Sequence, residues 1–211
     1  MKQVLSFAIV MLTGLGIFIQ SRHSDNNATS PADGYQIGDQ VADFKLQGVD
    51  GSTHALSEYF QRGAEGVIVI FTCNTCPVSQ RNEDRIIALH QKTSAEGFPV
   101  VAINTNDPDK SAGDDFNAMK RRASDKSYPF DYLQDITQEV GKAFGAAHTP
   151  QAFLLDKDKK VRYMGAIDDS PYNADNASQH FIEEAVNHLK DGMAPDPSVT
   201  KSIGCSIKYR S

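Results

Sequence analysis

The chain has 211 residues, 40% of them hydrophobic and 23% charged, with a formal net charge of -6. That length and apolar content suit one domain with a full core. The acidic balance, with no cluster of Lys and Arg, argues against nucleic acid as a partner. The three cysteines, Cys73, Cys76 and Cys205, are too few for a disulfide-stapled scaffold, and any one pairing leaves a thiol over.

Read from the start, Val4 to Ile19 is an uncharged apolar run behind Lys2. It has the form of a secretory signal peptide, or of an N-terminal membrane anchor slightly short of the roughly 20 residues that span a bilayer. Residues 1–20 are therefore expected to direct export, to a periplasmic or other extracytoplasmic place. Residues 21–34 are Ser-, Asn-, Asp- and Pro-rich and read as a polar linker. The folded domain is expected over 35–211.

Within it, Val41 to Leu46 alternates as a strand, Val49-Asp50-Gly51-Ser52 is a turn, and Thr53 to Leu56 returns. Ser57 to Arg62 forms a short helical turn. Val67 to Phe71 is an unbroken apolar run, as in a strand buried on both faces. A helix follows from Pro77, with a stop at Gly97. Pro99 to Ile103 is the next buried strand, and residues 106–109 form a loop. Asp114 to Ser124 reads as a helix, Phe130 to Leu133 as a short strand, and Thr137 to Phe144 as a helix capped by Thr137 or Asp135. Gln151 to Leu155 and Val161 to Ala166 form a hairpin through the charged turn 156–160. Gln179 to Leu189 is an amphipathic helix, and Ser202 to Tyr209 is a last extended piece. Strands alternating with helices predict an α/β fold with a mixed central sheet flanked by helices.

The chemistry-bearing stretch is Phe71-Thr72-Cys73-Asn74-Thr75-Cys76-Pro77. It puts a C-x-x-C pair where a strand meets a helix. Free N–H groups and the positive dipole end of the helix favour a thiolate there, and such motifs lower the first cysteine's pKa. Cys73 is the expected nucleophile and Cys76 the thiol that resolves the mixed disulfide. A zinc site would need a second ligand pair at matching spacing. His54, His90, His148, His180 and His188 are scattered, so no metal and no cofactor is expected. Glu83, Asp84, Asp168 and Asp169 read as solvated charges. Cys205 is either a small buried hydrophobe or a third redox thiol reaching the Cys73 site.

The same stretch resembles the thioredoxin-like redoxins related to the alkyl hydroperoxide reductase/thiol-specific antioxidant group, and among them exported proteins bearing C-N-x-C-P. The likeness extends through Ile37-Gly38-Asp39, Phe44-x-Leu46, Asp50-Gly51, Ala102-Ile103-Asn104-x-Asn106-Asp107-Pro108, Gly145-Ala146-x-x-Thr149-Pro150, Gly165 to Asp169 and Ile203-Gly204-Cys205. It implies a thioredoxin-like fold with an N-terminal β-hairpin extension and an inserted helix. It also implies that Thr149-Pro150 is a cis-proline loop facing the dithiol, whose Thr149 backbone pairs with an extended substrate segment beside Cys73. From local sequence alone, Pro150 is a strand-start proline.

Two departures stand out: Thr72 occupies the place of the usual Trp, and the strand before Cys73 carries no acid. The activity implied is thiol–disulfide exchange with protein disulfides or dithiols, served by an upstream electron donor. Reduction is the favoured direction, because related exported redoxins keep partner thiols reduced. A thiol peroxidase is the first alternative, although the Pro-x-x-x-Thr-x-x-Cys signature is absent. A copper-binding or non-enzymatic redoxin, with His148 near Pro150, is the second.

Overall fold

The computed structural model describes residues 33–210. The signal or anchor assigned to 1–20, and the linker except for its last two residues, lie outside them. Among the described residues, no helix is long and apolar enough to cross a membrane.

The chain runs β1 (Lys45–Gly48), β2 (Thr53–Ala55), α1 (Leu56–Gln61), β3 (Gly66–Phe71), α2 (Pro77–Ser94), β4 (Val100–Asn104), α3 (Phe116–Asp125), β5 (Asp131–Gln134) and α4 (Glu139–Phe144). There follow β6 (His148–Thr149), β7 (Gln151–Asp156), β8 (Val161–Gly165), a 3-10 turn (Ala174–Asn176), α5 (Phe181–Lys190) and β9 (Cys205–Ser206). Seven strands make one sheet in the order β2-β1-β5-β4-β3-β7-β8, and β6 and β9 pair separately. The centre, β5-β4-β3, is parallel. Both flanks are antiparallel hairpins, β1-β2 beside β5 and β7-β8 beside β3. This is the mixed sheet expected from the order of elements, with the added hairpin at its N-terminal edge.

The period-2 geometry of a strand explains how β3 organises the core. Val67, Val69 and Phe71 point into one cluster with Leu56, Tyr59, Val140 and Phe144 from α1 and α4. Ile68 and Ile70 point into the other, with Ile86 and Leu89 of α2 and Ile182, Ala185 and Val186 of α5. Every residue of β3 is buried, so its continuous apolar run is what two-sided packing requires. A third, smaller cluster joins Met119 of α3 to Ala102 and Tyr132.

The first strand begins later than its alternation predicts. The Val41 N–H bonds Lys159 C=O (2.8 Å) and the Ala42 N–H bonds the Tyr35 hydroxyl (3.0 Å), so neither enters a ladder. Asp43 instead accepts from the Ser57 N–H (2.7 Å) and hydroxyl (2.8 Å) in the first turn of α1. The last extended piece is also shorter than expected. Only Cys205 and Ser206 make strand pairs, because Lys208 is drawn off to Asn106 and Asp107. The cap of α4 comes from Asp135, whose carboxylate accepts from the Gly141 N–H (2.8 Å).

Candidate active site

Phe71 ends β3, and the Thr72 N–H still bonds Ile103 C=O (2.9 Å), so the chain leaves the sheet in register. Residues 73–75 form the crossing, and α2 begins at Pro77 with Cys76 as its N-cap in extended backbone. Pro77 sits in the first helical turn, where a missing N–H costs nothing. Both thiols are buried, Cys73 at 3% and Cys76 at 2% exposure.

Opposite them lies the Thr149–Pro150 bond, which is cis. The Cys73 thiol and the Thr149 hydroxyl are 3.2 Å apart, and the Cys76 thiol donates to Thr149 C=O at 3.2 Å. The four residues singled out from sequence, Cys73, Cys76, Thr149 and Pro150, thus form one site. Cys205 joins it, packed half-buried against Cys73, Cys76 and Val78.

The three thiols are linked by hydrogen bonds and charge. At the start of the helix the Cys76 N–H is directed to Cys73 and the Ser79 N–H to Cys76. Hydrogen bonding from the Cys73 thiol, and then from the Cys205 thiol, the Ser79 N–H and the Cys205 N–H, outweighs burial and pulls Cys76 down to about 4. Cys73 is pushed up, first by its bond to Cys76, then by burial and by the negative charge of Asp114. Cys205 is pushed up to about 11 by burial and by the bond to and charge of Cys76. The Cys73 and Cys76 thiols are hydrogen-bonded to each other and titrate as a pair, so that ionising one opposes ionising the other.

Asp114 is the functional residue that sequence reasoning missed. It is 1% exposed and accepts five hydrogen bonds. The Asn74 N–H (2.7 Å) and Asn104 Nδ2 (3.1 Å) bind Oδ1; Thr75 Oγ1 (2.7 Å), Asn106 Nδ2 (2.9 Å) and Ser111 Oγ (2.6 Å) bind Oδ2. Two of these donors belong to the residues between the cysteines, so Asp114 fixes the shape of the dithiol loop. The Asn74 side chain adds bonds to Gly113 C=O (2.8 Å) and from the Tyr132 hydroxyl (3.0 Å). The signal in the sequence was a run of Asn, Ser and Asp from 104 to 114 after a buried strand.

Two carboxylates expected in solvent are buried. Glu83 takes both Nε (2.6 Å) and Nη2 (2.7 Å) of Arg122 and the Tyr128 hydroxyl (2.8 Å), which ties α2 to α3. Its side chain is 4% exposed, whereas Asp84 is 87% exposed. Asp168, 4% exposed, pairs with Arg85 at 2.5 Å, while Asp169 lies outside in a turn bonded to Ser178. Neither buried acid touches a thiol. They pin α2, and with it the cap position of Cys76.

The backbone edge of Thr149 does not stand open. It is occupied by the chain's own β9, with Thr149 opposite Cys205 and His148 opposite Ser206 in antiparallel register. His148 Nδ1 lies 3.2 Å from Ser202 Oγ.

The architecture is thioredoxin-like. The thioredoxin domain of a thiol-disulfide oxidoreductase from Bacteroides vulgatus matches with a TM-score of 0.54 over 65% of this chain and 94% of that one, at 14% identity, a likeness of fold alone. More particularly, the chain belongs to the AhpC/TSA family, whose model matches residues 37–164. A solved structure of a conserved protein from Geobacillus kaustophilus is 35% identical, with a TM-score of 0.77 over 83% of this chain and 93% of that one. Thiol-disulfide oxidoreductase ResA of Geobacillus thermodenitrificans is 26% identical over 60% of this chain and 67% of its own length.

Proposed function

We propose that the protein is an extracytoplasmic thiol–disulfide oxidoreductase that reduces protein disulfides through the Cys73–Cys76 dithiol. The observation that carries this is the contact of both thiols with the cis Thr149–Pro150 loop, at 3.2 Å each. Its relatives' activity supports it, since they are named thiol-disulfide oxidoreductases. The apolar run of residues 4–19 supports export.

No acid on β3 provides activation; the Thr149 hydroxyl and the Cys76 N–H, both directed to Cys73, favour its ionised form. The Cys73 thiolate attacks one sulfur of a substrate disulfide. The substrate's other sulfur leaves with the electron pair. Cys76 then gives up its proton and attacks Cys73 Sγ. The second substrate thiol is released, the enzyme is left as the Cys73–Cys76 disulfide, and two electrons have passed to the substrate. An upstream dithiol donor restores the reduced enzyme. A surface cleft of about 590 Å3 is lined by Glu65, Phe98, Asp156, Arg162 and neighbouring residues, none of them a thiol. That cleft does not include the thiols; a polypeptide substrate would lie along the Thr149 loop, in the place that β9 takes.

The test is reduction of insulin disulfides by the dithiol-reduced protein, with Cys73→Ser and Cys76→Ser alongside. Wild type should turn over, both variants should be inactive, and the reduction potential should lie near about -270 mV, the reducing end of the thioredoxin-fold range. A potential near about -120 mV would reverse the direction. Rapid turnover of hydrogen peroxide without insulin reduction would replace the reading with a peroxidase.

A further inference from the structure

We propose that the C-terminal segment is a resident substrate of the dithiol. In this role it acts as a redox latch: Cys205 exchanges with the Cys73–Cys76 disulfide to form Cys76–Cys205 and closes the Thr149 edge covalently in the oxidised protein. The inference rests on the reading that the dithiol performs disulfide exchange, and it assigns that chemistry a partner within the same chain.

Three observations carry it. First, β9 lies where an extended substrate would lie. Thr149 and Cys205 are register partners, and the Ile207 N–H continues the pairing to Ala147 C=O at 3.0 Å. Second, the residue that this placement sets against the dithiol is a cysteine, packed on Cys73, Cys76 and Val78, with its thiol and N–H both directed to Cys76 Sγ.

Third, the segment is tied down on both sides of Cys205. Upstream, the Met164 N–H bonds Ser198 C=O (3.0 Å) and the Ala166 N–H bonds Thr200 Oγ1 (3.0 Å). Downstream, the Lys208 N–H bonds Asn106 Oδ1 (2.8 Å), the Arg210 N–H bonds Gln138 Oε1 (2.7 Å) and the Tyr209 hydroxyl bonds Ala146 C=O (2.7 Å). A thiol held in this way has a high effective concentration at the dithiol, so exchange within the chain outruns exchange between chains.

The step needs no outside oxidant. The Cys205 thiol loses its proton and attacks Cys76 Sγ in the Cys73–Cys76 disulfide. The Cys76–Cys205 bond forms, the Cys73–Cys76 bond breaks, and its electron pair leaves on Cys73, which takes the proton. One disulfide and one thiol are present before and after. The consequence is directional. The oxidised protein holds the strap covalently over its own groove and is a poor oxidant of partner dithiols, whereas with free thiols β9 is held on Thr149 by hydrogen bonds alone and a substrate strand can displace it.

The experiment uses Cys73→Ser, which retains only the proposed pair. One equivalent of diamide should consume both remaining thiols, leave the protein monomeric and yield a Cys76–Cys205 cross-linked peptide on non-reducing digestion and mass spectrometry. Persistence of both thiols, or their loss only into intermolecular dimers, would overturn the latch. Should circular dichroism show that Cys73→Ser is not folded, oxidised wild type decides by the same mapping. A Cys76–Cys205 peptide there supports the proposal, and Cys73–Cys76 as the only cross-link overturns it. Cys205→Ser should in addition oxidise a dithiol peptide several-fold faster than wild type, and an unchanged rate counts against the latch. Diamide mapping involves no protein substrate, so a failed insulin assay with the cross-link present defeats the reductase reading and leaves the latch intact.

Discussion

At the scale of single residues, Asp114 decides how the dithiol behaves. Burial pushes its carboxyl upward. The bonds from Ser111, Asn106, Thr75 and the Asn74 N–H outweigh this and hold it below the usual 3.8. A carboxyl depressed by folding contributes stability that is fully present above 3.8 and is lost as pH falls through the lower native value. The dithiol loop should therefore keep its shape through neutral and mildly acidic solution and loosen only below that point. Asp114→Asn removes the charge that opposes a Cys73 thiolate and leaves donors facing donors. The expected cost is on the order of 3 kcal/mol of stability. Cys73 should ionise at lower pH, followed by thiolate ultraviolet absorbance, and the reduction potential should rise because the reduced form gains most. A purely structural role for Asp114 would lower stability and leave that titration where it was.

Among elements, β9 is the one whose place follows least from its own sequence. Gly204 is the reason it can approach so closely. A Cβ built there would sit 2.1 Å from Thr149 O and 2.6 Å from Thr149 C, both backbone atoms that cannot step aside. Gly204→Ala should lift β9 off the cis-proline loop at a cost of about 1–3 kcal/mol. Since 1.4 kcal/mol is a factor of ten, iodoacetamide should alkylate Cys73 and Cys76 roughly tenfold faster than in wild type. Equal alkylation rates would mean that the strap does not guard the thiols.

The other elements were more legible. The run Val67 to Phe71 and the following C-x-x-C-P announced β3, the crossing and α2, because a buried central strand and a proline-started helix each leave a local mark. The charged turn 156–160 announced the β7-β8 hairpin in the same way. Burial of Glu83 and Asp168 left no such mark, since it depends on Arg122, Tyr128 and Arg85 arriving from elsewhere. The convergence of Asn104, Asn106, Ser111 and Asp114 on the residues between the cysteines is likewise a tertiary event.

On the scale of the whole molecule, the sheet divides the interior into two cores, and β3 belongs to both. Phe144 gathers one of them, with ring centroids 5.2 Å from Tyr35, 5.3 Å from Phe71 and 5.1 Å from Phe153. Ile86, on the buried face of α2, lies in the other. Separate clusters with no shared partner should lose stability independently. Ile86→Val should cost about 0.5–1.5 kcal/mol and Phe144→Leu about 1–3 kcal/mol, and the double variant should equal their sum to within about 0.5 kcal/mol. Phe144→Leu with Phe153→Leu should depart from additivity by more than that, because the two rings touch and either leucine relaxes into space the other leaves. Guanidinium unfolding of the singles and both doubles measures these terms. Strong coupling between Ile86 and Phe144 would show that β3 transmits repacking across the sheet. A disturbance behind Phe71 would then reach α2 and the cap at Cys76 by a second route, beyond the backbone that joins Phe71 to Cys73.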